Sequence, residues 1–161
     1  MRECAQDPCD TVSPMRFLLN NRIVSLEPGV SIEAEMSLPP EEELFRDHFP
    51  GFPVVPGVLL TEMMGQAAGK CLVAQKLPRG YPMLAEIRNA RFRSWVRPGE
   101  IIRLHATIQT SRDTFAVAQC HATVEGRKVC SAELLLSFAP AEQFSAGYRD
   151  ELLEQWFRDH P

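Results

Sequence analysis

Gly57-Val58-Leu59-Leu60-Thr61-Glu62-Met63-Met64-Gly65-Gln66-Ala67-Ala68-Gly69-Lys70-Cys71-Leu72-Val73-Ala74-Gln75-Lys76 is the stretch that decides the fold. It is rich in Leu, Met, Ala and Gln and holds no proline, which predicts a single helix over residues 57–76. Its apolar residues, among them Val58, Leu59, Met63, Ala67, Cys71 and Leu72, fall on nearly every side of the helical wheel, the pattern of a buried helix. Glu62, Gln66 and Lys70 interrupt it, so it is not a membrane span. A helix apolar all round needs cover from every direction, and a curved antiparallel sheet wrapped about it supplies that cover.

The flanking sequence offers the strands. Pro28-Gly29 separates residues 21–26 from residues 30–38, the arms of a hairpin, and the second arm alternates Ile32, Ala34 and Met36 against Ser31, Glu33 and Glu35. Further strand-like runs at 83–96, 100–110, 114–125 and 127–138 are punctuated by Pro98-Gly99, Ser111-Arg112-Asp113 and Gly126, which predicts an antiparallel meander. The order is hairpin, helix, meander. The fold class is therefore α+β, an antiparallel sheet around one long central helix.

A length of 161 residues is the span of one domain. A net charge of -4 without a Lys/Arg run gives no electrostatic footing on nucleic acid or an anionic membrane. The five cysteines are odd in number and fall at no zinc-ligand spacing, which points to a reducing, cytoplasmic setting with Cys71, Cys120 and Cys130 in the core. Residues 1–12, with Cys4 and Cys9, read as a polar disordered tail rather than a secretory signal. Residues 13–139 hold the sheet and helix. In residues 140–161, Phe144, Tyr148, Leu152 and Trp156 recur at i+4 steps, which predicts a short amphipathic helix. Packing on its own sheet or across a dimer is preferred for it over docking of a different partner. His105, His121 and His160 join no carboxylate or cysteine cluster by spacing and read as ordinary positions.

The approach to the helix, Asp47-His48-Phe49-Pro50-Gly51-Phe52-Pro53-Val54-Val55-Pro56-Gly57, places a proline at every third residue, the polyproline II repeat. That predicts a stiff extended lead-in, with Pro56 in the first helical turn and an unshielded Gly57 amide at the helix start, suited to an oxyanion. Glu62 and Gln66 share a face at i, i+4. A carboxyl on an apolar helix is costly unless paired or protonated, so Glu62 is either a core residue satisfied by Gln66 or a working acid. His48 is either a loop histidine stacked on its neighbours or a base.

The gapless run His48-Phe49-Pro50-Gly51-Phe52-Pro53-Val54-Val55-Pro56-Gly57-Val58-Leu59-Leu60-Thr61-Glu62-Met63-Met64-Gly65-Gln66-Ala67-Ala68-Gly69 resembles the signature of the FabZ-type 3-hydroxyacyl-acyl carrier protein dehydratases. Asn89-Ala90-Arg91-Phe92-Arg93, Val96 and Pro98-Gly99-Glu100 are similar to a second family stretch, in which Asp usually stands at the position of Glu100. The resemblance implies the hotdog fold, dehydration of (3R)-3-hydroxyacyl-acyl carrier protein to the trans-2-enoyl product, and no cofactor and no metal. It implies a homodimer, with a trimer of dimers as the common larger assembly, and active sites in which His48 of one subunit faces Glu62 of the other. His48 is then the base at C2, a protonated Glu62 acts on the C3 hydroxyl, the Gly57 N–H holds the thioester oxygen, and Gln66 orients Glu62 or a water. Two readings stay beside dehydration: thioester hydrolysis on the same pocket, and a non-catalytic acyl-binding subunit. The chain departs from the family at Ser13-Pro14-Met15-Arg16-Phe17-Leu18-Leu19-Asn20-Asn21-Arg22, which lacks the usual His, Tyr-Pro and Asp, and in its longer C-terminal tail. A specialised lipid, polyketide or aryl polyene pathway is thus as open as fatty acid synthesis.

Overall fold

Alternation of small apolar and polar side chains shapes the sheet. Ala106, Ala116, Ala118, Ala122 and Ala132 are buried on its inner face, and their small size lets a helix lie close against the strands. The computed structural model describes residues 17–76, 80–144 and 149–161. Its elements are β1 (Arg22–Glu27), β2 (Ser31–Met36), α1 (Leu44–Asp47), α2 (Gly57–Val73), β3 (Tyr81–Phe92), β4 (Ile102–Ser111), β5 (Phe115–Val124), β6 (Arg127–Ala139) and α3 (Glu151–Asp159).

The six strands form one antiparallel sheet in the order β1-β2-β4-β5-β6-β3. The sheet wraps α2, which packs on β2, β3, β4, β5 and β6. This is the expected hotdog arrangement, with one change in topology. Only β4, β5 and β6 form a meander; β3 does not pair with β4 but lies at the far edge, on β6. β4 takes the place beside β2, so hairpin and meander become one sheet.

The core centres on Met63, Met64, Ala67, Ala68 and Cys71 of α2, packed on Leu104, Cys120, Leu134 and Leu136 from the strands. The helix stops three residues before the predicted end, at Val73, and Lys76 adopts a left-handed φ of 55°. Gly29 helps seat this end: its N–H donates to the Cys71 carbonyl, and at φ 74° a β-carbon there would run into the Gln75 side chain.

The proline repeat at 50, 53 and 56 does not run as an extended ladder. Phe49 and Gly51 are left-handed (φ 56° and 83°), and the Phe52 N–H donates to the Phe49 carbonyl across a tight turn. Pro56 is extended and caps α2 from outside, so the helix begins at Gly57. Residues 1–12, with Cys4 and Cys9, lie outside the described residues, as does Tyr148 of the predicted tail helix. Leu152 and Trp156 lie on α3, and Phe144 follows a 3-10 turn at Ala141–Gln143. No helix of the described residues is long and apolar enough to cross a membrane.

Candidate active site

Glu62 stands on the second turn of α2, half-buried, on the face that also carries Gln66. The two meet: Gln66 Nε2 donates to Glu62 Oε1 at 3.1 Å. The same amide holds the N-terminal segment, with Oε1 accepting from the Leu19 N–H at 2.8 Å and Nε2 donating to the Phe17 carbonyl at 3.2 Å. Because Leu19 N–H can only donate and the Phe17 carbonyl can only accept, the amide has one satisfactory orientation, and that orientation turns its NH2 toward Glu62. Asn20 adds a second tie, donating to the Met63 carbonyl at 3.2 Å from a buried position.

A cavity of about 640 Å³ opens beside this pair. Glu62 and Gln66 stand on its wall, and Gly65, Leu84 and Leu136 give it an apolar lining. Gly65 and Gly69 face it without side chains. A β-carbon at Gly65 would lie 3.7 Å from Leu84, and one at Gly69 would lie 3.5 Å from Pro82, both ordinary contacts. Packing alone therefore does not demand glycine at either position.

His48 follows α1 and is half-buried, with the Phe49 ring set edge-on at 4.5 Å. Its Nδ1 lies 3.1 Å from the Val54 carbonyl. A carbonyl only accepts, so the bond requires a proton on Nδ1 and leaves the Nε2 lone pair as the basic site of the neutral ring. The carbonyl itself is well anchored: Val54 and Val55 are buried, and the Val55 N–H donates to Val96 O at 2.8 Å. The left-handed Phe49 is a bulky residue in a region that costs roughly 1–3 kcal/mol, and it turns the chain immediately beyond the imidazole.

Gly57 is the first residue of α2, where amide hydrogens have no intrahelical acceptor. A β-carbon there would come within 2.9 Å of the Phe92 ring, so glycine lets that ring lie over the helix start. Neither Gly57 nor His48 lines the cavity beside Glu62. Within one chain Glu62 and Gln66 stand together at the cavity, while His48 is held at the Val54 carbonyl, outside the cavity lining.

A model of the ApeI-like dehydratase family (ApeI dehydratase) matches residues 25–132. The chain is 40% identical over 124 residues to the 3-hydroxyacyl-[acyl-carrier-protein] dehydratase FabZ of Lactobacillus helveticus, covering 75% of this chain and 84% of that protein. Against FabZ of Listeria innocua it is 37% identical over 128 residues, 79% and 89% of the two chains. The chain belongs to the FabZ/ApeI-like dehydratase family. Solved structures agree on the fold: the ApeI:P dehydratase heterocomplex of Xenorhabdus doucetiae superposes with a TM-score of 0.64 at 14% identity, over 88% of this chain and 90% of that one. A hypothetical thioesterase from Streptococcus pneumoniae, solved with coenzyme A, gives 0.58 at 13%, over 74% and 85%.

As a member of this dehydratase family the chain keeps structural jobs where its sequence departs. Asn21, at the family's Asp position, accepts the Ser37 N–H at 2.7 Å through Oδ1, a bond that needs an oxygen but no charge. Glu100 closes the turn at Pro98-Gly99 by accepting the Arg97 N–H at 2.5 Å. Sequence reasoning missed two features. Lys70 is buried and pairs with Asp150 at 2.8 Å, and His105 stacks on His121 with ring centroids 4.5 Å apart beside Glu33.

Proposed function

We propose that the chain removes water from (3R)-3-hydroxyacyl thioesters of acyl carrier protein to give trans-2-enoyl thioesters. His48 Nε2 takes the C2 proton, the C2=C3 double bond forms as the C3–O bond breaks, and Glu62 supplies the proton with which the hydroxyl departs as water. The Gly57 N–H receives the thioester oxygen while it carries enolate charge. Gln66 positions Glu62. No step calls for a metal or a nucleotide. The observation that carries the reading is Glu62, an ionisable carboxyl steered by Gln66 at the wall of an apolar cavity fit for an acyl chain.

The site is completed by a second copy of the chain, whose His48 faces this Glu62. Two features support that reading. His48 does not line the cavity of its own chain, and β3 is a twelve-residue edge strand with exposed Met83, Ile87 and Phe92. A long edge strand that exposes apolar side chains is a template for strand pairing. Residues 13–139 form the catalytic unit, 140–161 a docked extension, and three buried thiols suit a reducing cytoplasm.

Enoyl thioester absorbance with a 3-hydroxyacyl-acyl carrier protein tests the reaction. Wild type generates the enoyl product, and His48→Ala and Glu62→Gln each lower kcat/KM by about 10²–10⁴-fold. Persistent activity in both variants sinks the mechanism, and release of free acid instead of the enoyl thioester assigns hydrolysis.

A further inference from the structure

The cavity beside Glu62 also borders an ion pair. Lys70 lies eight residues further along α2, about 12 Å at the helical rise of 1.5 Å per residue, and both it and Asp150 border the cavity. Lys70 is only 7% exposed and Asp150 14%, with Nζ and Oδ2 2.8 Å apart. Beside them Tyr81 and Phe144 bring their rings to 4.6 Å. Two of these four residues, Phe144 and Asp150, come from the C-terminal extension, which lies beyond the matched family region at residues 25–132.

We infer that Phe144 and Asp150 of the extension help build the floor of the acyl channel, with the Lys70–Asp150 pair limiting the length of chain accepted. This rests on the dehydratase reading above and deepens it. The wall between Glu62 and the floor is apolar and open at Gly65 and Gly69, where β-carbons would fit the packing but narrow the space. An alkyl chain running along this wall is favoured by burial at each methylene. On reaching Lys70 and Asp150 it would have to crowd a desolvated ion pair that it cannot hydrogen-bond, and the gain per methylene ends there. Phe144 and Tyr81 line the cavity together with the pair. Asp150 also caps α3 by accepting the Leu153 N–H at 3.2 Å, so the floor is tied to a folded element.

The test is a series of 3-hydroxyacyl-acyl carrier protein substrates from 3-hydroxybutyryl to 3-hydroxypalmitoyl, assayed for enoyl product with the full chain. Wild type shows a length beyond which kcat/KM falls. In Lys70→Ala/Asp150→Ala, which removes both charges and leaves neither unpaired, that length increases, and the ratio of kcat/KM for substrates just beyond the limit to those just within it rises by about tenfold or more. Gly69→Ala, whose new methyl meets Pro82 at an ordinary distance, moves the limit the other way and stands as the test should the double variant not fold. A length profile unchanged in a folded double variant, or unchanged in Gly69→Ala, overturns the floor while leaving the dehydratase reading intact. Absence of enoyl product from every substrate with wild type overturns the dehydratase reading itself, and the floor with it.

Discussion

Gln66 shows how much one side chain can settle. Its amide satisfies Leu19, Phe17 and Glu62 at once, so the orientation of the candidate acid is coupled to the docking of the N-terminal segment. Gln66→Glu keeps an acceptor for Leu19 but loses the donor and sets a second carboxyl beside the first; the expected result is a fall in kcat/KM of about tenfold or more in the enoyl assay, with a lower Tm. The histidine pair tests the sheet in another way. Burial first, then the charge of His105, holds His121 below its ordinary value, with Lys128 acting in the same direction and Glu33 opposing. Because the folded value is the lower one, the stability His121 contributes is complete above the unfolded pKa of about 6.5 and drains away as pH falls below it. Urea midpoints across that acidic window should flatten in His121→Gln, by less than about 1 kcal/mol since the ring is partly exposed; an unchanged slope removes His121 from the balance. The pair was not legible from the sequence for a specific reason. Counting outward from the turn pairs Ser111 with Ala116 and would set residue 105 opposite 122, but a bulge between Ile108 and Thr110 shifts the register by one and brings His105 to His121.

At the scale of elements, α2 and most strand positions followed from periodicity and turn residues, because burial on two faces leaves its mark on residue type. What did not follow is what distant residues decide. The 50–53–56 proline spacing is correct for polyproline II, yet Phe49 turns the chain just before Pro50 and Gly51 turns it again between Pro50 and Pro53. Lys70 reads as a break in an apolar face because its partner is eighty residues away, on the segment that begins α3. That partner makes α3 testable. Asp150→Ala removes the helix cap and strands a buried ammonium, and should cost about 3–5 kcal/mol, whereas Lys70→Met with Asp150→Asn keeps a capping side chain, buries no lone charge and should stay near wild type. Urea unfolding of the two proteins decides it, and equal losses would mean that the ion pair does not hold α3. Leu153, 5% exposed against the core, supplies the apolar half of the contact, and Leu153→Ala should cost about 2–4 kcal/mol by the same measurement.

At the scale of the whole molecule, what matters is which chains supply Glu62 and His48 to one site. Glu62 faces a cavity that His48 does not reach, and the sheet ends at β3 with its apolar side chains exposed. If β3 edges pair about a two-fold axis, each dimer has two sites, each built from one protomer's His48 and the other's Glu62. Inactive proteins can then repair one another. In a dimer of one His48→Ala chain and one Glu62→Gln chain, both changes fall in the same site, and the other site receives an intact His48 and an intact Glu62. Random reassociation makes half of all dimers mixed, each with one of two sites restored, so equimolar co-refolding should recover about a quarter of wild-type activity. A site assembled within a single protomer gives no recovery at any mixing ratio. Restoration that tracks the fraction of mixed dimers would fix the catalytic unit as two chains, while activity no greater than the sum of the separate variants would return both residues to one chain and require a movement of His48 toward Glu62.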